Sequence, residues 1–215
     1  MKNKKLLIFL SIILTLSPML AGFILWDRLP QQMPVHWNAA GEVDNYCSKL
    51  FAVVGLPLIL CAINVICMLA IRFDKKNREN NQKVVSLSTW LVPLLSVFVN
   101  TLTYTAALEI KFSVVGWSIA FLGLLFMVFG NYMPKCAQNS TIGIRVIWTL
   151  DSEENWNATH RFASRIWLVG GAVIMFMAFL PQPAGMLIAF GLMLVISIIP
   201  IVYSYRFYKR QEGEK

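Results

Sequence analysis

KLLIFLSIILTLSPMLAGFILW, residues 5–26, is a run of 22 residues whose only charge is its first. A helix of that length rises roughly 33 Å at about 1.5 Å per residue, enough to cross a hydrocarbon core of roughly 30 Å. The pattern recurs. Phe51–Ile71, Leu87–Leu108, Phe112–Tyr132 and Ala184–Tyr205 are comparable runs, and Ile166–Leu180 is a shorter one. Of 215 residues, 57% are hydrophobic and 14% charged, with mean hydropathy +0.62, outside the range of soluble domains. In lipid each run must satisfy its own backbone hydrogen bonds, so the sequence predicts an all-α integral membrane protein. The expected architecture is one domain, residues 1–215, a bundle of six transmembrane helices. MKNKK followed by an apolar run has the outline of a signal peptide. The run is too long for one, however, and LAGFILWDRL offers no small-residue cleavage site, so it reads as a retained first span.

Basic residues orient the bundle. Lys2, Lys4 and Lys5 precede span one; Arg72, Lys75, Lys76, Arg78 and Lys83 join spans two and three. Lys135, Arg145, Arg161 and Arg165 lie between spans four and five, and Arg206, Lys209, Arg210 and Lys215 follow span six. Only Arg28, Lys49 and Lys111 of the 19 cations fall on the other side, so the positive-inside rule predicts cytoplasmic N- and C-termini. The net charge of +8 is then an insertion signature and implies no nucleic-acid partner. The four cysteines (Cys47, Cys61, Cys67, Cys136) form no CxxC pair and imply neither a disulfide nor a zinc framework.

Two connections stand out by length, residues 27–50 outside and residues 133–165 inside; long connections in compact proteins are commonly functional. The segment RFDKKNRENNQKVVS between spans two and three reads as a solvated linker. In the outer loop Pro30 and Pro34 predict an extended arm. Asn38-Ala-Ala-Gly41 predicts a turn, and Trp37 and Tyr46 suit a headgroup layer. His36, Glu42 and Asp44 are its polar contact groups, against the plainer reading of an ordered cap with His36 bonded to backbone. In the inner loop, Asp151 with Glu154 resembles a capping box opening a helix near Ser152. Trp156, His160, Ala163 and Trp167 would share one face of it, a helix lying at the interface and running into span five. Docking of the loop on the membrane and a binding role are both compatible with that pattern.

Beyond these physical readings, LPQQMPVHWNAAGEVDNYCSK (29–49) resembles the outer-loop motif of the bacterial SdpI family, immunity proteins for a sporulation-delaying toxin. GNYMPK, NSTIGIRVIWTL and WNATHRFAS resemble that family's second signature, with Ile147 and Ala163 as departures from it. The resemblance implies a multi-span plasma-membrane protein that protects its cell by binding or excluding a secreted membrane-active peptide toxin, without catalytic turnover and without a cofactor or metal. Carried over by position, the outer motif residues are Pro30, Pro34, His36, Trp37, Asn38, Gly41, Asp44 and Lys49. The inner ones are Asn131, Asn139, Gly143, Arg145, Trp148, Thr149, Trp156, Thr159, His160 and Arg161. The expected partners are the toxin outside, membrane lipids, and in a sensor variant of the same idea a cytosolic regulator at the inner loop. A transporter is disfavoured, because the span interiors carry amides and hydroxyls such as Asn64, Asn100, Thr101 and Thr103 rather than ionisable groups. A lipid-modifying enzyme is disfavoured because no HExxH, no GxSxG and no intramembrane aspartate pair occurs.

Overall fold

A computed structural model of the chain describes residues 2–74 and 81–213, with side chains from Lys5 onward. The expected topological cations Lys75, Lys76, Arg78 and Lys215 lie outside the described residues. Seven α-helices follow in order among the described residues: α1 Lys2–Ile24, α2 Leu56–Phe73, α3 Gln82–Ala107, α4 Val114–Tyr132, α5 Ile147–Asp151, α6 Glu153–Met177 and α7 Ala184–Gly213. Among the described residues, five segments are long and apolar enough to cross a membrane: Lys5–Ile24, Phe51–Phe73, Gln82–Ala107, Val114–Lys135 and Ala184–Gly213. The protein is thus a multi-span helical membrane protein. The expected fifth span, Ile166–Leu180, is the apolar end of α6. It does not count among the five because the helix begins in the polar stretch EENWNATHR.

One correction concerns the outer loop. Residues expected to form an arm and a turn pair as an antiparallel hairpin, β1 Gln32–Trp37 with β2 Val43–Ser48. The expected turn is present at its tip, where Asn38 N–H donates to the Glu42 carbonyl and Gly41 takes φ 88°. Glycine adopts that left-handed conformation without the steric penalty of a Cβ.

The chain divides into two compact units. The first holds Met1–Ala70 and Val85–Val114. Its helices are stitched by polar side chains, as the amides in the spans suggest. Asn64 Nδ2 donates to Thr15 Oγ1 (3.2 Å), Ser96 Oγ to the Thr15 carbonyl (2.8 Å) and Tyr104 OH to the Pro18 carbonyl (3.0 Å). Without water to compete, such bonds hold apolar helices in one register. Asn100 instead donates to Ser96 within its own helix. An apolar cluster of Leu29, Met33, Ala52, Val53 and Tyr104 ties the hairpin's base to the helices.

The second unit holds Ile71–Val84 and Val115–Lys215. Here α4 and α6 meet backbone to backbone. A Cβ on Gly123 would lie 2.6 Å from the Gly171 carbonyl oxygen, and one on Gly130 would lie 2.9 Å from Leu168 N. These pairings run antiparallel. Val115 and Ile119 of α4, Ile174 of α6 and Ala189 and Ile196 of α7 form the apolar core. Pro200 in α7 has no N–H to give the Ile196 carbonyl, and Trp167 Nε1 of α6 donates to that oxygen instead (3.0 Å).

Candidate functional site

The two sequence motifs fall in different units, and each forms a local structure of its own. In the outer motif, Pro34 and Met33 turn into the protein while His36, Asp44, Asn45 and Tyr46 stand exposed. His36 Nδ1 meets Asp44 Oδ1 at 2.5 Å across the strands. Asn38 builds the turn: its Oδ1 accepts from the N–H groups of Ala40 (2.9 Å) and Glu42 (3.0 Å), and its Nδ2 donates to the Glu42 carboxylate (2.9 Å). Trp37 is half-buried and Pro30 exposed. Lys49, only 7% exposed, donates from Nζ to the Trp26 carbonyl (3.0 Å) and lies 5.2 Å from the centroid of the Trp26 ring. It therefore pins the end of β2 to the 3-10 turn Trp26–Arg28.

Both edges of the hairpin are guarded against strand addition. Pro34 lacks an N–H, β1 is irregular on both sides of His36, and the Tyr46 N–H is occupied by Asn45 Oδ1 (2.8 Å). What the hairpin offers a partner is side chains. Asn45 is exposed between Asp44 and Tyr46 and carried no sequence signal of its own.

The inner motif is a buried polar framework. Asn139 is its hub: Oδ1 accepts from Thr141 N–H (2.8 Å) and Ile142 N–H (2.7 Å), and Nδ2 donates to the carbonyls of Ala137 (3.0 Å) and Ile142 (2.9 Å). Thr149 Oγ1 donates to the Ile144 carbonyl (2.8 Å) and accepts from Val146 N–H (3.1 Å). Trp156, with no exposed surface, donates from Nε1 to the Cys136 carbonyl (2.7 Å) and stacks on His160 at 4.1 Å. Thr159 donates to Asn155 Oδ1, whose amide in turn donates to the Ser204 carbonyl on α7 (3.0 Å). Trp148 Nε1 donates to Ser204 Oγ (2.6 Å). Arg145 is exposed and bonds the Ser140 carbonyl; Asn131 and Arg161 are exposed, so the structure does not draw them into this framework.

Two features differ from expectation. Ser152, not Asp151, caps α6, its Oγ accepting from Asn155 N–H (3.2 Å), because Asp151 ends the short α5. Helix α6 does run on continuously. But Trp156 and His160 are buried against the protein's own loop, and Ala163 is buried as well, rather than laid on a lipid interface.

The presumed solvated linker also contributes. Asn81 Oδ1 accepts from Ala137 N–H (2.7 Å) while its Nδ2 donates to the Ala137 carbonyl (3.0 Å), and Asp74 accepts from Ser140 N–H and Thr141 Oγ1, both at 2.8 Å. Neither residue carried a sequence signal, since both sit in a charge-rich stretch.

The tautomer of His160 follows from its partners. Ile144 N–H donates to Nε2 (3.1 Å), so Nε2 carries no proton and Nδ1–H donates to the Trp156 carbonyl (2.8 Å). Burial holds the imidazole well below its ordinary range, at about 4. The unfolded chain takes up this proton near pH 6.5, before the folded one does. The contribution of neutral His160 is therefore complete above that pH, falls as the pH drops toward 4, and levels off below. Integrated over that window it is worth about 3 kcal/mol. Thermal unfolding in detergent should show this acid loss in the native chain and not in His160→Gln, which starts less stable at pH 7.5. An identical slope in both would refute the assignment. Cys136, pushed up to about 11 by its burial beneath the loop, stays a neutral thiol throughout.

Residues 135–204 match the SdpI/YfhL protein family, a span running from the inner loop through most of α7. Residues 13–61, which run from α1 through the hairpin into α2, match a domain of unknown function (DUF1648). The chain is 28% identical over 215 residues to the protein named "Immunity protein SdpI" of Bacillus subtilis (strain 168), covering 96% of this chain and 98% of that one. No solved structure matches.

Proposed function

Because residues 135–204 match the SdpI/YfhL family and the chain is a distant homologue of an immunity protein over nearly its full length, we propose that it protects its own cell against a secreted, membrane-active peptide toxin. That near-full-length match carries the reading. Protection works by binding or exclusion rather than turnover, and the exposed hairpin side chains His36, Asp44, Asn45 and Tyr46 meet the peptide. An arrangement of aromatic, amide and charged side chains on a rigid two-stranded scaffold suits recognition of a peptide that approaches from water.

The hairpin faces outward and both termini lie in the cytoplasm of a six-span plasma-membrane protein. Two observations support this topology. The cations Lys135, Arg145, Arg161 and Arg165 share the side opposite the hairpin under that count. In addition, α6 lies antiparallel to the span α4, with Gly130 against Ser164 and Leu168 and Gly123 against Gly171 and Met175. Extending that register sets residue 177 beside Ile119, near the far end of α4, so the apolar part of α6 crosses at the depth of its neighbour. The polar part, Glu153 to Ala163, extends beyond the inner end of α4.

The test is a sensitive strain expressing the chain and challenged with membrane-active peptides. Alanine at His36, Asp44, Asn45 and Tyr46 together should lower the tolerated peptide concentration by at least about tenfold, since truncating contact residues of an interface typically costs on the order of 1–2 kcal/mol each at its centre. In the same cells Asn45→Cys should react with an impermeant maleimide from outside. Full protection at normal membrane levels, or labelling only after permeabilisation, defeats the proposal.

A further inference from the structure

We propose that the cavity beside the polar half of α6 holds the phosphoethanolamine headgroup of a membrane lipid. The inference rests on α6 entering the membrane beyond Arg165 and is independent of toxin protection. The cavity, about 230 Å³, is lined by Pro134, Glu154, Asn157, His160 and Arg161. Glu154, Asn157 and Arg161 recur at helical spacing and so share one side of α6.

The chemistry available to a ligand is limited to three of these side chains. Both ring nitrogens of His160 are engaged with Ile144 and Trp156, and Pro134 has no polar side-chain atom. Glu154 accepts from Gln211 Nε2 through one oxygen (2.7 Å), which leaves the other. Among the described residues no ion pair or hydrogen bond engages the Arg161 guanidinium. A free cation and a half-free carboxylate thus border one cavity, with an amide between them. That is the complement of a zwitterion, not of a simple anion.

Its direction also fits. Seven residues of helix separate Glu154 from Arg161, roughly 10 Å along the axis. The contact of Gly130 with Ser164 and Leu168 fixes the register of α4 and α6, and puts Arg161 level with Lys135, the last residue of the span Val114–Lys135. Arg161 therefore lies where the apolar span ends, and Glu154 about two turns farther from the hydrocarbon. A phosphoethanolamine lipid has the same polarity: the phosphate lies next to the glycerol backbone and the ammonium beyond it. The guanidinium fork matches the two non-bridging phosphate oxygens, Asn157 can donate to one of them as well, and Glu154 meets the ammonium. A phosphatidylglycerol head would satisfy Arg161 but leave Glu154 facing an uncharged hydroxyl, so the carboxylate is what discriminates.

The experiment is native mass spectrometry of the full chain released from micelles containing equal amounts of phosphatidylethanolamine and phosphatidylglycerol. The native chain should retain the former in preference by about tenfold, the ratio expected for one charge-assisted contact of about 1.4 kcal/mol. Arg161→Gln should reduce retention of both lipids, whereas Glu154→Gln should abolish the preference and keep phosphatidylglycerol binding. Thermal unfolding of each variant separates lost binding from lost fold. Equal retention by the native chain, or a preference untouched by Glu154→Gln in a folded protein, overturns the proposal. So does complete displacement of lipid by soluble phosphoethanolamine at millimolar concentration, which would make the free headgroup the ligand. Protection assays on the same variants report separately on the immunity reading.

Discussion

Gly143→Ala should collapse the inner framework and destabilise its unit by roughly 3–5 kcal/mol, the scale of the severest single substitutions. Two effects add. Gly143 sits at φ +117°, where an L side chain is strained whatever its surroundings. The added Cβ would also stand 2.5 Å from His160 Nε2 and 3.0 Å from the Trp156 ring. Neither neighbour can yield. Trp156 and His160 are stacked and buried, and both are tied down through their ring nitrogens. Moving the loop away instead breaks the Ile144 N–H bond to His160 and leaves a buried imidazole nitrogen unpaired. Gly191→Ala is the matched control, since a Cβ there meets nothing within 4 Å. Thermal unfolding followed by tryptophan fluorescence should show a shift on the order of 10 °C for Gly143→Ala and almost none for Gly191→Ala. Equal shifts would show that the glycine is not needed where the structure puts it.

Gly171→Leu should have an effect of similar size by a different route. The Cβ alone would lie 2.6 Å from the Gly123 carbonyl oxygen and 2.8 Å from Met127 N. Those are backbone atoms of a regular helix and cannot rotate aside, so the two helices must separate. Close approach through glycine is what lets apolar helices gain dispersion contact inside lipid, where burial from water offers no drive. Separation would pull Ile174 out of the core it shares with Val115 and Ile119. The expected result is an unfolding midpoint lower by on the order of 10 °C and a marked fall in the steady-state membrane level. Normal levels and an unchanged midpoint would mean that α4 and α6 do not pack through these glycines, and the support they give for a sixth crossing would go with them.

Hydropathy made the spans legible because a lipid-crossing helix must be apolar along its whole length. Helix α6 was only half legible for the same reason: its first three turns are polar, yet they are buried by a loop rather than by lipid. The turn at Asn38–Gly41 could be read from residue chemistry. The strands flanking it could not, since VDNYCS shows no alternation of apolar and polar positions and is exposed through most of its length. In the inner motif, Asn139 and Gly143 were named only through the family resemblance; Asn139 bonds its own loop, whereas Gly143 packs against Trp156 and His160 of a later helix. Asn81 illustrates the limit. It pairs with both backbone groups of Ala137, 56 positions away, from within a stretch whose composition announces only solvation. Tertiary contacts of that kind leave no local pattern to read.

The pairing of Trp167 with the carbonyl freed by Pro200 makes one position's evolution depend on the other. With alanine at position 200, that oxygen gains a donor from its own helix, and the indole shares it. With phenylalanine at 167 and the proline kept, an acceptor is stranded at membrane depth. Only the second step leaves a buried group unpaired, since a carbonyl oxygen can accept from two donors, so lineages that keep the proline should keep the indole.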